Sequence, residues 1–229
     1  MNKPNLITKY YQNFIQGKDI RNFKNSFFYF FFFRICRVFL NKYIEVKICN
    51  FKILASNKKN NTSHTILKKC DFDDQHEIKT IKKFSKKYKV FLLDCGCNYG
   101  FYSFFTASLS KNNFVVALEA SPKTSQDFKR NLLLNNFKNI ILKNLAVSDK
   151  NNEIVSLNEG YNDWESSLSH KKFKEAGTTD VRTITIETVL KEYNLDEYFL
   201  FIKLDIEGHE FKAIEGSLNI IQKYNPIII

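Results

Sequence analysis

An open α/β sheet of parallel strands is the fold this sequence predicts, and three observations carry the prediction. Three apolar runs, at residues 90–94, 114–119 and 199–205, each end in an acid: Asp94, Glu119 and Asp205. A turn or helix start follows each at once, with Gly96 and Gly100 after the first, Ser121 and Pro122 after the second, and Gly208 after the third. Segments of helical length separate the runs. Continuously apolar strands are those buried on both faces, which is the parallel arrangement. In such sheets ligands bind outside the carboxyl ends of the strands, so the three acids should face one crevice.

The elements follow in chain order. Residues 1–42 read as a helical N-terminal extension, and 43–229 as the main domain, with its core at 90–229. Within the extension, 27–40 is an aromatic-rich stretch carrying Arg34 and Arg37. Fourteen helical residues span about 21 Å, short of the roughly 30 Å of a bilayer core. The two arginines share a helix face. The stretch is expected to be a helix that docks on the domain or on a partner, or lies peripherally on a membrane, and not a membrane span. Residues 43–56 alternate as a small β-hairpin with its turn near Asn50, followed by a polar loop at 57–61. Residues 73–87 read as a helix with Ile78, Ile81 and Phe84 on one face.

The first run leads into Asp94-x-Gly96-Cys97-Asn98-x-Gly100 and then a helix over 101–110. Glycines permit a tight turn and close backbone approach, and Asn98 tolerates left-handed backbone. The spacing is not that of a dinucleotide site. A carboxylate at the strand end would repel a pyrophosphate and suits a cationic ligand that carries an amino acid and a nucleoside, which describes S-adenosylmethionine. Glu119 lies 25 positions after Asp94, near the offset at which an acid accepts hydrogen bonds from ribose hydroxyls. Ala120 follows it. Ser121 is a helix N-cap with Pro122 in the first turn, and that helix runs to about Asn135. A third strand is expected over 140–145, with Asn144 and Ala146 available to line an adenine slot.

Residues 151–187 form an insertion with strands at 153–157 and 181–186. Between them Asp163, Trp164, Glu165, Ser166 and Ser167 offer a wall for an acceptor, or Trp164 is simply packed. The fourth sheet strand closes in Lys203-x-Asp205-x-Glu207-Gly208-His209-Glu210. Glu207 or Glu210 can also serve as a cap at the next helix. The fifth strand, 226–229, reaches the last residue, so the sheet is expected to be truncated after it.

The order Asp94-x-Gly-x-Asn98-x-Gly, Glu119-Ala-Ser-Pro122, Asn131-x-x-x-Asn135 and Lys203-x-Asp205-x-Glu207-Gly208-x-Glu210 resembles the FkbM-type methyltransferases. The resemblance covers roughly 90–229, and its last motif is the most specific part. It implies a Rossmann-like sheet and a SAM-dependent O-methyltransferase acting on a hydroxyl of a sugar, surface glycan or secondary metabolite. It places Asp94, Gly96, Asn98, Gly100 and Glu119 at cofactor positions and Asp205 and Glu207 beside the transferred methyl. The chain departs from the family pattern at Cys97 and His209, where Ala is usual or frequent. Asp205 is the first choice for general base or acceptor-orienting group, His209 the second, and Lys203 holds the carboxylates ionised. The competing class is a SAM- or glycan-binding module without turnover.

The formal charge of +11 invites a nucleic-acid reading. Lys, Asn, Ile and Phe are abundant together, and their A/T-rich codons account for the same balance. No RNA-recognition or helix-turn-helix signature is present, and no nucleic-acid partner is expected. The five cysteines are irregularly spaced without a C-x-x-C pair, so reduced thiols are expected and no metal. The first twenty residues lack a signal-peptide core, and a cytoplasmic location is expected, with any membrane contact peripheral.

Overall fold

A computed structural model of the chain describes residues 4–16, 35, 37–56, 75–160, 167–168 and 175–229. The chain divides into two compact units, Met1–Asp73 and Asp74–Ile229.

In the first unit, helix α1 (Leu6–Gln16) starts at Asn5, whose side chain accepts from Thr8 N at 2.8 Å. That bond satisfies one of the donors a helix start leaves unpaired. Strands β1 (Tyr43–Ile48) and β2 (Phe51–Ser56) form the antiparallel hairpin, closed between Ile48 and Phe51 with Cys49 at φ 50°. Ile44, Val46 and Ile48 are buried in strict alternation; in the partner strand Phe51, Ile53, Leu54 and Ala55 are all buried. Gln12 Nε2 donates to Glu45 O at 2.9 Å, tying α1 to the hairpin. Most of the 27–40 stretch lies outside the described residues; from it Arg37–Phe39 forms a short 3-10 turn. The 57–61 loop and Trp164 also lie outside them. Among the described residues no helix is long and apolar enough to cross a membrane.

The second unit holds a five-stranded sheet, all parallel, in the order β10-β9-β3-β4-β5. Its strands are β3 (Lys89–Cys95), β4 (Phe114–Leu118), β5 (Ile140–Lys143), β9 (Tyr198–Leu204) and β10 (Ile227–Ile228). This is the Rossmann-like α/β architecture that the sequence predicts. Helices α2 (Gln75–Ser85), α3 (Phe101–Leu109), α4 (Pro122–Asn135), α5 (Ile186–Leu190), α6 (Glu210–Glu215) and α7 (Leu218–Tyr224) fill the connections. Alternate residues of the strands face opposite ways. Phe91, Leu93 and Cys95 join Ile186, Val189, Leu190, Leu200 and Ile202 in one core. On α2, the Phe84 ring packs at a tilt against Phe199 and edge-on to Phe201, with centroids 4.4 and 5.5 Å away.

Asn113 fixes where β3 begins. Its Oδ1 accepts from Val90 N at 3.0 Å while its Nδ2 donates to Thr106 O and Ser85 Oγ. A buried amide with donors and acceptor both paired is stabilising rather than costly. Strand β3 pairs with β4 on one side and β9 on the other. The order of the sheet therefore reverses beside β3, and a crevice opens at the carboxyl ends of β3 and β9.

The third predicted strand is shorter than 140–145. It stops at Lys143 because Asn144 turns the chain, its Nδ2 donating to Glu119 O at 2.6 Å and Ala120 O at 2.9 Å. The chain then enters a second sheet, ordered β6-β8-β7, built from β6 (Ala146–Val147), β7 (Ile154–Gly160) and β8 (Glu175–Ile184). Strand β8 ends before Ile186 because Thr185 caps α5, its hydroxyl accepting from Thr188 N at 3.1 Å.

Candidate active site

The turn after β3 is held by three residues at positive φ: Gly96 at 74°, Asn98 at 49° and Gly100 at 88°. Gly96 N and Cys97 N both donate to Leu118 O, at 2.9 and 3.0 Å, which sets the turn over the end of β4. A Cβ on Gly96 would lie 1.9 Å from the Asp205 carbonyl oxygen, so only glycine lets the ends of β3 and β9 approach this closely. A Cβ on Gly100 would meet the rings of Phe104 and Phe128 at 2.5 and 2.7 Å. Gly100 thus serves ring packing at the start of α3.

Behind the turn sits a buried charge cluster. Lys203 stands beside Asp94 in the β3–β9 register. Its Nζ lies 3.7 Å from Asp94 Oδ1, donates to Asp205 Oδ2 at 3.2 Å and Gly96 O at 3.3 Å, and sits 5.2 Å from the centre of the Tyr102 ring. Burial lowers the Lys203 pKa, but Asp94 and Asp205 outweigh it and the group ends above its ordinary value, protonated. Asp94 is fully buried and accepts from Ser103 Oγ at 2.6 Å. Burial pushes its carboxyl up, against the pull of Lys203 and Ser103. The Asp205 side chain is 64% exposed, so it links this cluster to solvent.

Glu119 closes β4 with both carboxylate oxygens engaged. Oε2 accepts from Asn98 N at 2.9 Å and Oε1 from Ser121 N at 3.0 Å. Burial raises its pKa to about 7, against those two amides. The Asn98 Oδ1 atom is buried with no hydrogen-bond partner, an acceptor without a donor.

After β9, Glu210 Oε1 accepts from Ile206 N and Gly208 N at 3.1 and 3.2 Å and so caps the turn before α6. Glu207 has φ 52°, and its carbonyl accepts from Ser167 Oγ at 2.6 Å. A left-handed non-glycine residue costs about 1–2 kcal/mol. Glu207→Gly is therefore expected to be more stable than Glu207→Ala by about 0.5–1 kcal/mol in urea denaturation, after the entropy of glycine is set against the relieved strain. Equal stability of the two variants would show that the turn relaxes at no cost. His209 is buried, with Nε2 3.0 Å from Ser148 Oγ. Burial, and then Lys212, lower its pKa, so the ring is neutral near pH 7.

Among the described residues, the crevice at these strand ends is lined by Gly96, Asn98, Glu119, Ala120 and Ala146 on one side and by Asp205, Ile206, Glu207 and His209 on the other. Val147, Leu157 and Leu168 supply apolar wall. Eight of the sequence-predicted residues thus meet around one space. Five do not line it. Asp94 and Lys203 lie behind the turn, Cys97 and Gly100 are packed in the protein, and Asn144 holds the β5 turn. Burial raises the Cys97 thiol well above its usual range. Sequence reasoning missed Ser103, Ser148, Asp149, Leu157 and Leu168. Of these, Ser148 and Asp149 stand two and three residues after Ala146 and Leu157 closes the strand expected over 153–157, so these three lay near recognised positions. Asn131, part of the resemblance, ties α4 to the turn by donating to Tyr99 O at 3.2 Å. Among the described residues no group of three or more His, Cys, Asp or Glu side chains is placed to hold a metal ion.

A parallel sheet with a glycine turn at its reversal point and acceptors at neighbouring strand ends is the layout of a nucleoside-binding α/β enzyme. Residues 94–229 match the family described as the methyltransferase FkbM domain. The chain belongs to this family, and its cofactor is S-adenosylmethionine. No curated protein matches the chain. Similar solved structures include a SAM-dependent methyltransferase from Agrobacterium tumefaciens, 14% identical with TM-score 0.36, the match covering 47% of this chain and 33% of that one. Precorrin-6y C5,15-methyltransferase from Geobacter metallireducens is also 14% identical with TM-score 0.36, over 63% of this chain and 56% of that one. The M. jannaschii TYW2 structure in complex with AdoMet is 18% identical with TM-score 0.33, over 44% and 42%. The chain spans from a third to just over half of the length of these structures.

Proposed function

We propose that this chain transfers a methyl group from S-adenosylmethionine to a hydroxyl of a sugar, surface glycan or secondary metabolite. The observation that carries the reading is that one crevice joins the acceptors Glu119 and Asn98 to the pair Asp205 and His209. The cofactor's ribose hydroxyls, ammonium and adenine amino group are donors. The Asn98 Oδ1 atom, buried without a partner, and the Glu119 carboxylate are acceptors that match them. Ala146, Val147, Leu157 and Leu168 offer apolar wall for the base. When bound, the cofactor supplies an electrophilic methyl on a sulfonium, whose S–C bond breaks with its electron pair left on sulfur as the C–O bond forms.

The chain's own residues then have two tasks: orienting the acceptor and removing its proton. Asp205 is tied to Lys203 and lines the crevice with its side chain largely exposed, which suits it to accept a hydrogen bond from the acceptor. His209, neutral and at the crevice wall, is the better proton acceptor. The acceptor partner is a hydroxylated small molecule or glycan rather than a nucleic acid. Cytoplasmic placement, with peripheral contact through 27–40, fits this reading.

Two measurements test it. Since ribose hydroxyls donate to an ionised carboxylate and Glu119 titrates at about 7, cofactor affinity is expected to rise by up to about tenfold per pH unit below 7 and to level off above it. Glu119→Ala should lose about 1.5–3 kcal/mol of binding and this pH dependence. Titration calorimetry between pH 5.5 and 8.5 checks both. A wild-type affinity that ignores pH, or tighter binding of NAD, would reject the cofactor pose. A panel of glycans and hydroxylated metabolites, screened with labelled cofactor, tests the transfer. Binding without methylation of any acceptor would favour a non-catalytic binding module.

A further inference from the structure

Helix α2 buries Ile78 and Ile81 and leaves Lys79, Lys82 and Lys83 exposed. Residues three and four apart share a helix face, so these lysines form one row on the side away from the core. Lys86 and Lys87 extend the row into the turn that follows, where Lys87 N and Tyr88 N both donate to Phe84 O at 2.9 Å. Both are exposed. Among the described residues none of the five is paired with a carboxylate, although exposed lysines elsewhere are: Lys89 with Glu197, Lys143 with Glu192 and Lys191 with Glu187. The acid of this helix, Glu77, cannot serve the row, because the positions three and four residues on are Thr80 and Ile81.

Like charges at these spacings repel and weaken a helix. The helix dipole favours cations in the last turn, which accounts for Lys82 and Lys83 but not for Lys79 in the turn before. A/T-rich codons account for the number of lysines and not for their gathering on one face. A partner with negative charge spread over a surface turns the repulsion into attraction. We propose that the lysine face of α2 docks the chain on an anionic lipid surface.

Two observations favour lipid over nucleic acid. The row holds lysines and no arginine, whose planar fork suits bidentate recognition of phosphates and base edges. An ammonium acts as a point charge, which suits a fluid array of headgroups. The chain also exposes apolar side chains, and attachment to a membrane surface grows with apolar burial as well as with charge. Tyr88, at the end of the row, is 53% exposed, and an amphipathic ring of this kind sits at headgroup level. In the first unit Leu6, Tyr10, Val38 and Phe39 are exposed, and the sequence at 27–33 is aromatic throughout. Helix α2 leads into the amino end of β3, so the end of the lysine row lies opposite the carboxyl ends where the crevice opens. The inference is independent of the methyl-transfer reading.

Sedimentation of the full chain with lipid vesicles tests it. One set is phosphatidylcholine alone, and the other is two parts phosphatidylcholine to one part phosphatidylserine. Binding is expected to the anionic vesicles only, and it should weaken as added salt screens the lysines. Lys79→Gln, Lys82→Gln, Lys83→Gln and Lys86→Gln together should lower the partition coefficient by about 100-fold or more, from roughly fivefold for each lysine at the surface. Glutamine and lysine have similar helix propensity, so the variant should keep its circular dichroism spectrum and its cofactor affinity. Arginine at the same four positions should bind as wild type does. Wild-type binding by the glutamine variant would overturn the proposal, as would equal binding to neutral vesicles or no binding to anionic ones. An RNA or DNA oligonucleotide held through the same lysines, with the anionic vesicles left unbound, would overturn it in favour of a nucleic-acid surface.

Discussion

Lys203→Met is expected to cost the fold about 3–5 kcal/mol at neutral pH, the usual penalty for removing one partner of a buried ion pair. Lys203 is the cation beside Asp94, which is fully buried and has Ser103 as its remaining partner. Methionine fills a similar volume, so the loss reports charge rather than packing. The pH dependence follows from the sign of the shift. Burial already raises the Asp94 pKa above its ordinary value, and loss of the lysine raises it further. A group with a raised folded-state pKa contributes stability that is present below its unfolded pKa and is lost as pH rises through the folded one. The deficit of Lys203→Met should therefore be small near pH 4 and grow toward pH 8. Adding Asp94→Asn should recover most of it at pH 8, since a neutral amide needs no counter-ion. Urea unfolding of the three proteins across that range measures all of this. A penalty below about 1 kcal/mol that does not vary with pH would mean that Asp94 is protonated or solvated in the native state.

The same cluster shows what the sequence made legible. Strand ends were readable because a buried parallel strand must be apolar throughout, and an acid stands out where it stops. That is how Asp94, Glu119 and Asp205 were found. What each acid does was not readable. Asp94 and Asp205 have the same sequence signature, yet one is fully buried beneath a glycine turn and the other is mostly in solvent. The difference depends on the 1.9 Å approach of the Asp205 carbonyl to where a Gly96 side chain would be, a contact between residues more than a hundred positions apart. Gly100 shows a related ambiguity. Glycine permits close approach, but the sequence does not say of what, and the answer is the rings of Phe104 and Phe128.

The second sheet was the least legible part. Its two longer strands were expected at 153–157 and 181–186 and are observed at Ile154–Gly160 and Glu175–Ile184. That Ala146–Val147 would leave the main sheet to pair with Thr183–Ile184 depends on the turn made by Asn144, a long-range hydrogen-bonding event. That turn also brings Ser148 to His209, so although Ser148 lies two residues after Ala146, its pairing with the candidate base was not readable from the sequence. Glu210 was open to either a capping or a chemical role, and its two bonds to the Ile206 and Gly208 amides show the capping one.

His209→Gln is expected to lower kcat by roughly 10²–10⁴, the range for removing a general base, while cofactor affinity stays near the wild-type value. Glutamine can still donate an N–H to Ser148, so the tie between β6 and α6 survives and the loss is chemical. Two pH signatures accompany it. The His209 pKa lies below 6.5, chiefly through burial and then through Lys212. The wild-type rate should fall as pH drops through that lowered value, because protonation removes the base, and the residual rate of the variant should lack this acid limb. Stability follows the same group: a depressed folded-state pKa means stability present above 6.5 and lost as pH falls through the folded value. Wild type should therefore lose stability below about pH 6.5 by an increment absent from His209→Gln. Asp205→Asn is the paired measurement. As an acceptor-orienting group hydrogen-bonded to Lys203, it should act mainly on KM, with a loss in kcat/KM near the 1.5–3 kcal/mol of a charged hydrogen bond, about 10–150-fold. The reverse pattern, full activity in His209→Gln and the larger loss with a vanished acid limb in Asp205→Asn, would assign the proton to Asp205. In that case the contact between Lys203 and Asp205 would have to open when the acceptor binds.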